Sequence, residues 1–148
     1  MFVDFKNRYP ETSLQAFSTI FVREEVLAHK VDLEIGLCGT SDKRLVLLPL
    51  GSEPYELFVH SGSELTKWQA VTLEELIQHA LVKYPKGYLG RNLVDNVCRE
   101  QGFELNTVME AGSASSLLQL VEAGIGEPIQ PKELLKLHRE GHISYRSL

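Results

Sequence analysis

The stretch Ala80-Leu-Val-Lys-Tyr-Pro-Lys-Gly-Tyr-Leu-Gly-Arg91 decides the fold. Ala80 to Tyr84 is a short run of strand formers, and Pro85-Lys86-Gly87 breaks it. Leu89, Leu93, Val94, Val97 and Cys98 then recur at i, i+4, i+5, i+8 and i+9, the spacing of one helical face, and Gly102 stands where a helix stops. Phe103 to Glu110 predicts the next strand, and Ser113 to Ala123 predicts a serine-capped helix carrying Leu117, Leu120 and Val121 and ending at Gly124. Strand, helix, strand, helix argues for an α/β protein with parallel pairing. Such sheets hold ligands at the carboxyl ends of their strands, beside helix starts.

Working outward, Thr72 and Glu75 form a capping box ahead of a helix over Thr72 to Ala80. Tyr55 to His60 reads as a strand, with Pro54 barring its extension backwards. Leu45 to Leu50 is an apolar run. Val31 to Leu37 alternates like a half-buried strand before the turn Gly39-Thr40-Ser41-Asp42, and Val22 to Lys30 carries a helical face. With strand formers over Ser13 to Phe21, these segments predict a β-α-β unit. Met1 to Tyr9 reads as the end of a helix stopped by Pro10. Downstream, Pro131 suits the first position of a last helix bearing Leu134, Leu135 and His138 and ending at Gly141, and His142 to Leu148 reads as an extended tail.

At 148 residues, 43% of them hydrophobic and 24% charged, the chain is long enough for one globular domain or two small lobes. No apolar run reaches the length of a membrane span and Met1-Phe-Val-Asp4 does not read as an export signal, so a cytoplasmic location is expected. The net charge is -5 and no window clusters five Lys or Arg, which speaks against direct nucleic-acid binding. Cys38 and Cys98 lack disulfide or zinc spacing, so no metal is expected. Cys98 falls on an apolar helix face as a small hydrophobe, whereas Cys38, in a loop, is the thiol to test for reactivity.

Candidate chemistry gathers at two helix starts. Tyr84 to Arg91 offers backbone N–H groups, Gly87, Lys86 and Arg91 to a small anion, although glycines also serve merely to make such corners. Gly112-Ser-Ala-Ser-Ser116 adds hydroxyls, of which one is required as a cap. Gly124-Ile-Gly126 suits close backbone approach or a plain helix end. His29, His60, His79, His138 and His142 fit no catalytic signature and adjoin no nucleophile, so no catalytic residue is assigned and no enzyme is expected.

In chain order, Phe5-Lys-Asn-Arg-Tyr-Pro10, Val31-Asp-Leu-Glu-Ile35, Leu48-Pro-Leu-Gly-Ser-Glu53, Val71-Thr-Leu-Glu-Glu-Leu76, Glu110-Ala-Gly-Ser113 and Leu117-Leu-Gln-Leu-Val-Glu-Ala-Gly-Ile-Gly126 resemble the effector-binding (substrate-binding) domain of LysR-type transcriptional regulators. The resemblance implies a type 2 periplasmic-binding-protein fold, two α/β lobes around a small inducer, with no cofactor. It places an incomplete first lobe at residues 1–53 plus 138–148 and a nearly complete second lobe at 54–137, the chain opening inside a first-lobe helix and stopping near the crossover back to that lobe. Carried over position by position, effector contacts fall at Thr40 and Ser41, at Gly87, Tyr88 and Arg91, and at Gly112, Ser113 and Ser115. The family binds DNA through a winged helix-turn-helix, which these residues lack. It forms homo-oligomers partly through first-lobe elements, which counts against oligomerisation of this chain. One departure stands out: Glu127-Pro-Ile-Gln-Pro131 replaces an apolar strand, so burying Glu127 and Gln130 there would be costly and would favour a rearranged edge.

The expected function is therefore sensing of a small, anionic inducer for a transcriptional regulator. A free-standing binding protein of the solute-receptor type predicts an export signal and a completed two-lobe chain. A small transferase predicts an acid/base or nucleophile set. A non-binding truncated remnant predicts an exposed apolar sheet edge and aggregation.

Overall fold

A computed structural model describes residues 2–16, 22–37, 42–137 and 142–148. The chain divides into two compact units, Met1–Gly36 and Leu37–Leu148.

In the first unit, helix α1 (Phe2–Arg8) has no buried residue, and the Phe5 and Tyr9 rings pack at 4.9 Å between centroids. Helix α2 spans Val22–Leu27. The strand expected over Ser13 to Phe21 is absent from residues 13–16, and residues 17–21 lie outside the described residues. Val31 to Leu37 is also not a strand: Leu33 is 69% exposed and Ile35 50%. Alternation marks a segment able to join a sheet, and the ladder forms only with a partner, which this segment lacks among the described residues. The same holds for residues 45–50, where Val46, Leu48 and Leu50 stand exposed.

The second unit is built on strand β1 (Tyr55–His60), which starts directly after Pro54 and is buried from Glu56 to Val59. It lies between β4 (Ile129–Pro131) and β5 (Ile143–Arg146), antiparallel to both. Strands β2 (Leu81–Lys83) and β3 (Thr107–Glu110) pair in parallel. A parallel bridge between Leu81 and Glu127 joins the two sets, with Glu127 N–H donating to the Ala80 carbonyl at 3.0 Å and Val82 N–H to the Glu127 carbonyl at 3.2 Å. The strand sequence across this array is β3-β2-β4-β1-β5. Parallel pairing was expected and holds for β2 and β3; β1 runs against its neighbours, because the spacing that marks a strand carries no direction. The tail strand β5 pairs with β1 through residues 143–146.

Helices cover both faces. Leu57 and Val59 face Leu65, Val71, Leu76, Leu81, Cys98, Leu105 and Ile129, whereas Phe58 faces Leu118, Val121 and Ile143. Each fully buried Leu, Val or Phe contributes about 1.5–3 kcal/mol. Helix α3 (Leu73–Leu76) carries the expected capping box but is one turn long. Helices α4 (Leu89–Glu100) and α5 (Ala114–Glu122) end at Gly102 and Gly124, both at positive φ (+80° and +67°), the backbone that glycine adopts without strain. The last helix expected from Pro131 is instead the end of β4 followed by a 3₁₀ turn over Lys132–Leu137: Pro131 pairs with Tyr55, which holds it in the sheet. His138 and Gly141 lie outside the described residues.

Gly126 serves the sheet. A Cβ there would sit 2.6 Å from the Ala80 carbonyl oxygen, so only a hydrogen fits where the chain enters beside β2.

Candidate effector site

Strands β2 and β3 run parallel, so their carboxyl ends and the starts of α4 and α5 share one edge. At the end of β2, Gly87 turns the chain at φ +98° and Tyr88 becomes the N-cap of α4 without contributing a side-chain cap bond. At the end of β3, Ala111 N–H donates to the Lys83 carbonyl at 2.9 Å, and Ser113 caps α5, its Oγ accepting from Ser116 N–H at 3.1 Å. The Ser115 and Ser116 hydroxyls lie 3.0 and 2.8 Å from that of Ser113.

The two starts touch. Tyr88 hydroxyl donates to the Gly112 carbonyl at 3.1 Å, and the Tyr84 and Tyr88 rings stack at 5.1 Å with their planes 4° apart. A Cβ on Gly112 would lie 3.3 Å from the Tyr88 hydroxyl, so glycine keeps this approach unstrained. Of the residues predicted from sequence, Gly87 and Tyr88 are thus brought together with Gly112, Ser113 and Ser115. Thr40 and Ser41 lie outside the described residues, as does Cys38.

Arg91 is turned inward. Its Nη1 donates to the Tyr84 carbonyl and to Glu110 Oε1, each at 2.9 Å, and its Nε bonds Asp95 Oδ2. Lys83 Nζ reaches Asp95 Oδ1 at 3.0 Å, closing a four-residue network of two cations and two carboxylates. Burial pushes the Asp95 carboxyl up, but hydrogen bonds from Arg91 and Lys83 and their charges outweigh it, leaving Asp95 below the ordinary carboxylate value. Burial raises the Tyr84 hydroxyl, aided by Tyr88. Three of the five Arg91 donors are spent inside the protein, so Arg91 braces the turn that presents Gly87 and Tyr88. Lys83, Asp95 and Glu110 were not foreseen. The signal was the i, i+4 pair Arg91/Asp95 one turn into the helix.

Two polar residues of the Glu127 to Pro131 segment are placed by the sheet. Gln130 is buried in β4 opposite Glu56, while Glu127 is half-buried and accepts from the Ser63 hydroxyl at 3.0 Å. The edge is therefore not rearranged into a loop: the strand forms, and Gln130 is buried with it. The Cys98 thiol is buried, and that burial raises its pKa, which fits a packing role. His60 Nδ1 accepts from Gly62 N–H at 3.0 Å, a turn contact. Among the described residues no three His, Cys, Asp or Glu groups gather as a metal site. None of the described helices is long and apolar enough to cross a membrane.

Two donor-bearing helix starts held side by side at the carboxyl edge of parallel strands have the form of a small-molecule binding site. The LysR substrate binding domain family matches residues 1–148, and the chain belongs to it. It is 31% identical over 126 residues to the transcriptional regulator CysB of Burkholderia cenocepacia, a match covering 83% of this chain and 40% of that protein. The fold is that of the effector-binding domain of QuiR in complex with shikimate, with a TM-score of 0.81 at 16% identity, covering 99% of this chain and 71% of that one. It is also that of the Synechocystis CcmR regulatory domain in complex with 2-PG, with a TM-score of 0.80 at 20% identity, covering 97% and 71%. This is the periplasmic-binding-protein-like α/β class expected from the sequence. The chain spans about two fifths of the length of the curated relative.

Proposed function

We propose that this domain senses a small anionic metabolite on behalf of a cytoplasmic LysR-type regulator, without catalysing a reaction. The observation that carries the reading is the hydrogen bond from Tyr88 to Gly112, which holds two N–H-rich helix starts side by side at the carboxyl edge. A carboxylate at the start of α5 would take backbone donors from Ser113 to Ser115 and the serine hydroxyls, with Gly87 and Tyr88 beside it. The shikimate of QuiR is itself a carboxylate, which supports this class. Arg91 contributes by bracing the turn. In the same reading Thr40 and Ser41 belong to the first lobe, residues 54–137 form the second, and DNA contact belongs to a helix-turn-helix elsewhere in the regulator.

Binding regulates only through unequal affinity for two states, so the effector favours whichever arrangement lets both helix starts engage it. A thermal-shift scan against carboxylates, phosphates and amino acids tests this. A ligand at about 100 times its Kd adds about 2.7 kcal/mol. A shift by one anionic class that Ser113→Ala weakens supports the reading; a cooperative melt that no anion moves overturns it.

A further inference from the structure

Glu56 and Gln130 stand directly opposite one another on β1 and β4, each 5% exposed. Glu56 Oε2 and Gln130 Oε1 have no hydrogen-bond partner among the described residues. The Gln130 amide nitrogen donates to the Ile129 carbonyl at 2.8 Å, which leaves the oxygen as the free end. Two buried acceptors therefore sit side by side on one sheet face, their Cβ atoms about 5 Å apart in such a register, and neither has a donor. Buried acceptors are almost always paired, because leaving one unmade forfeits its hydration without return. The nearest cation does not supply the missing donor. Lys132 Nζ lies 4.0 Å from the other Glu56 oxygen and 4.0 Å above the Tyr145 ring, to which it is turned.

The pair also lies at the functional edge. The bridge at Glu127 sets β4 parallel to β2, so Gln130 lies toward the same end as Lys83, and β1, running antiparallel, begins there at Tyr55. Glu56 shares its face with Phe58, two residues on, and Phe58 packs against Leu118 and Val121 of α5. Acceptors from the sheet and donors from the start of α5 thus occupy the same end of one face.

We propose that Glu56 and Gln130 bind the primary ammonium group of the effector, which makes that effector an amino-acid-like zwitterion whose carboxylate lies at the start of α5. An ammonium carries three N–H donors on one atom and satisfies both orphan oxygens together. Lys132, half-exposed over the neighbouring oxygen, moves aside to admit it. This rests on the effector-site reading above and narrows its ligand class.

The test compares matched pairs, L-alanine with propionate, L-aspartate with succinate and L-glutamate with glutarate, by thermal shift and calorimetry on the 148-residue chain. The amino member of at least one pair is expected to bind ten-fold or more tightly than its partner. Glu56→Leu and Gln130→Leu are expected to abolish that preference and to raise the melting temperature of the unliganded protein, since each removes an unpaired buried acceptor. Equal shifts by both members of every pair overturn this inference and leave the anion site standing. No shift by these pairs or by any other anion overturns both. A lower melting temperature in both variants with the amine preference intact assigns the pair a structural role and overturns the proposal.

Discussion

The Tyr88 hydroxyl and the Gly112 carbonyl lie 3.1 Å apart, tying the start of α4 to the loop that precedes α5. Tyr88→Phe keeps the ring stacked on Tyr84 and removes only this bond. Because the contact is exposed, the expected loss of stability is about 0.5–1 kcal/mol, whereas affinity for the effector falls about ten-fold as the two starts separate. Denaturant melts and calorimetry on the same variant read the two effects.

Ser113 separates capping from binding. Ser113→Ala removes the α5 cap and should cost about 1 kcal/mol of stability as well as effector affinity. Ser113→Asp retains a cap acceptor and the favourable charge at the helix start, so its stability stays within about 0.5 kcal/mol of the native protein while a bound anion is repelled. Paired urea melts and ligand titrations check both.

Arg91→Met deletes three donated hydrogen bonds, leaves Asp95 paired with Lys83 alone and removes the ion pair to Glu110. Those carboxylates are 33% and 41% exposed and regain water, which limits the expected loss to about 2 kcal/mol. Effector affinity should fall through slackening of the Tyr84 to Tyr88 turn, with no new dependence on ligand charge. An affinity loss that scales with effector charge would place Arg91 in direct contact.

Asp95 sets an acid limit. Its carboxyl is lowered in the folded protein, so the stability it adds is fully present above the ordinary value of about 3.9 and is lost as pH falls through the lower folded value. Urea melts of the native chain and Asp95→Asn should differ most at pH 6 and converge below about pH 4.

Gly126→Ala places a methyl 2.6 Å from the Ala80 carbonyl oxygen, and the backbone must yield. A loss of about 1–3 kcal/mol is expected in thermal melts.

Much of the second unit was legible in the sequence because its signals are local. The capping box at Thr72 and Glu75, the glycine stops at Gly102 and Gly124 and the serine cap at Ser113 each act within one helical turn. Val31 to Leu37 had the right alternation, but a strand also needs a neighbour, which alternation does not show. The inward face of α4 was misjudged for a related reason. Leu89, Leu93 and Val97 are 40–45% exposed, and Arg91, Val94 and Cys98 turn inward, because ion pairing to Asp95 and Glu110 lets an arginine occupy a core-facing position. The two helix starts were legible, being punctuated by glycine and serine. The Glu56–Gln130 pair was not, because it arises from the register of two strands 74 positions apart, which no local pattern encodes.

The most direct measurement is an amide-resolved NMR titration of the 15N-labelled chain with whichever small anion shifts its melt. Effector binding at the carboxyl edge predicts the largest, saturable shifts at Gly87 to Leu89 and at Gly112 to Ser116, with smaller changes along the outer face of α4. Saturable shifts that spare both helix starts and gather elsewhere would contradict it.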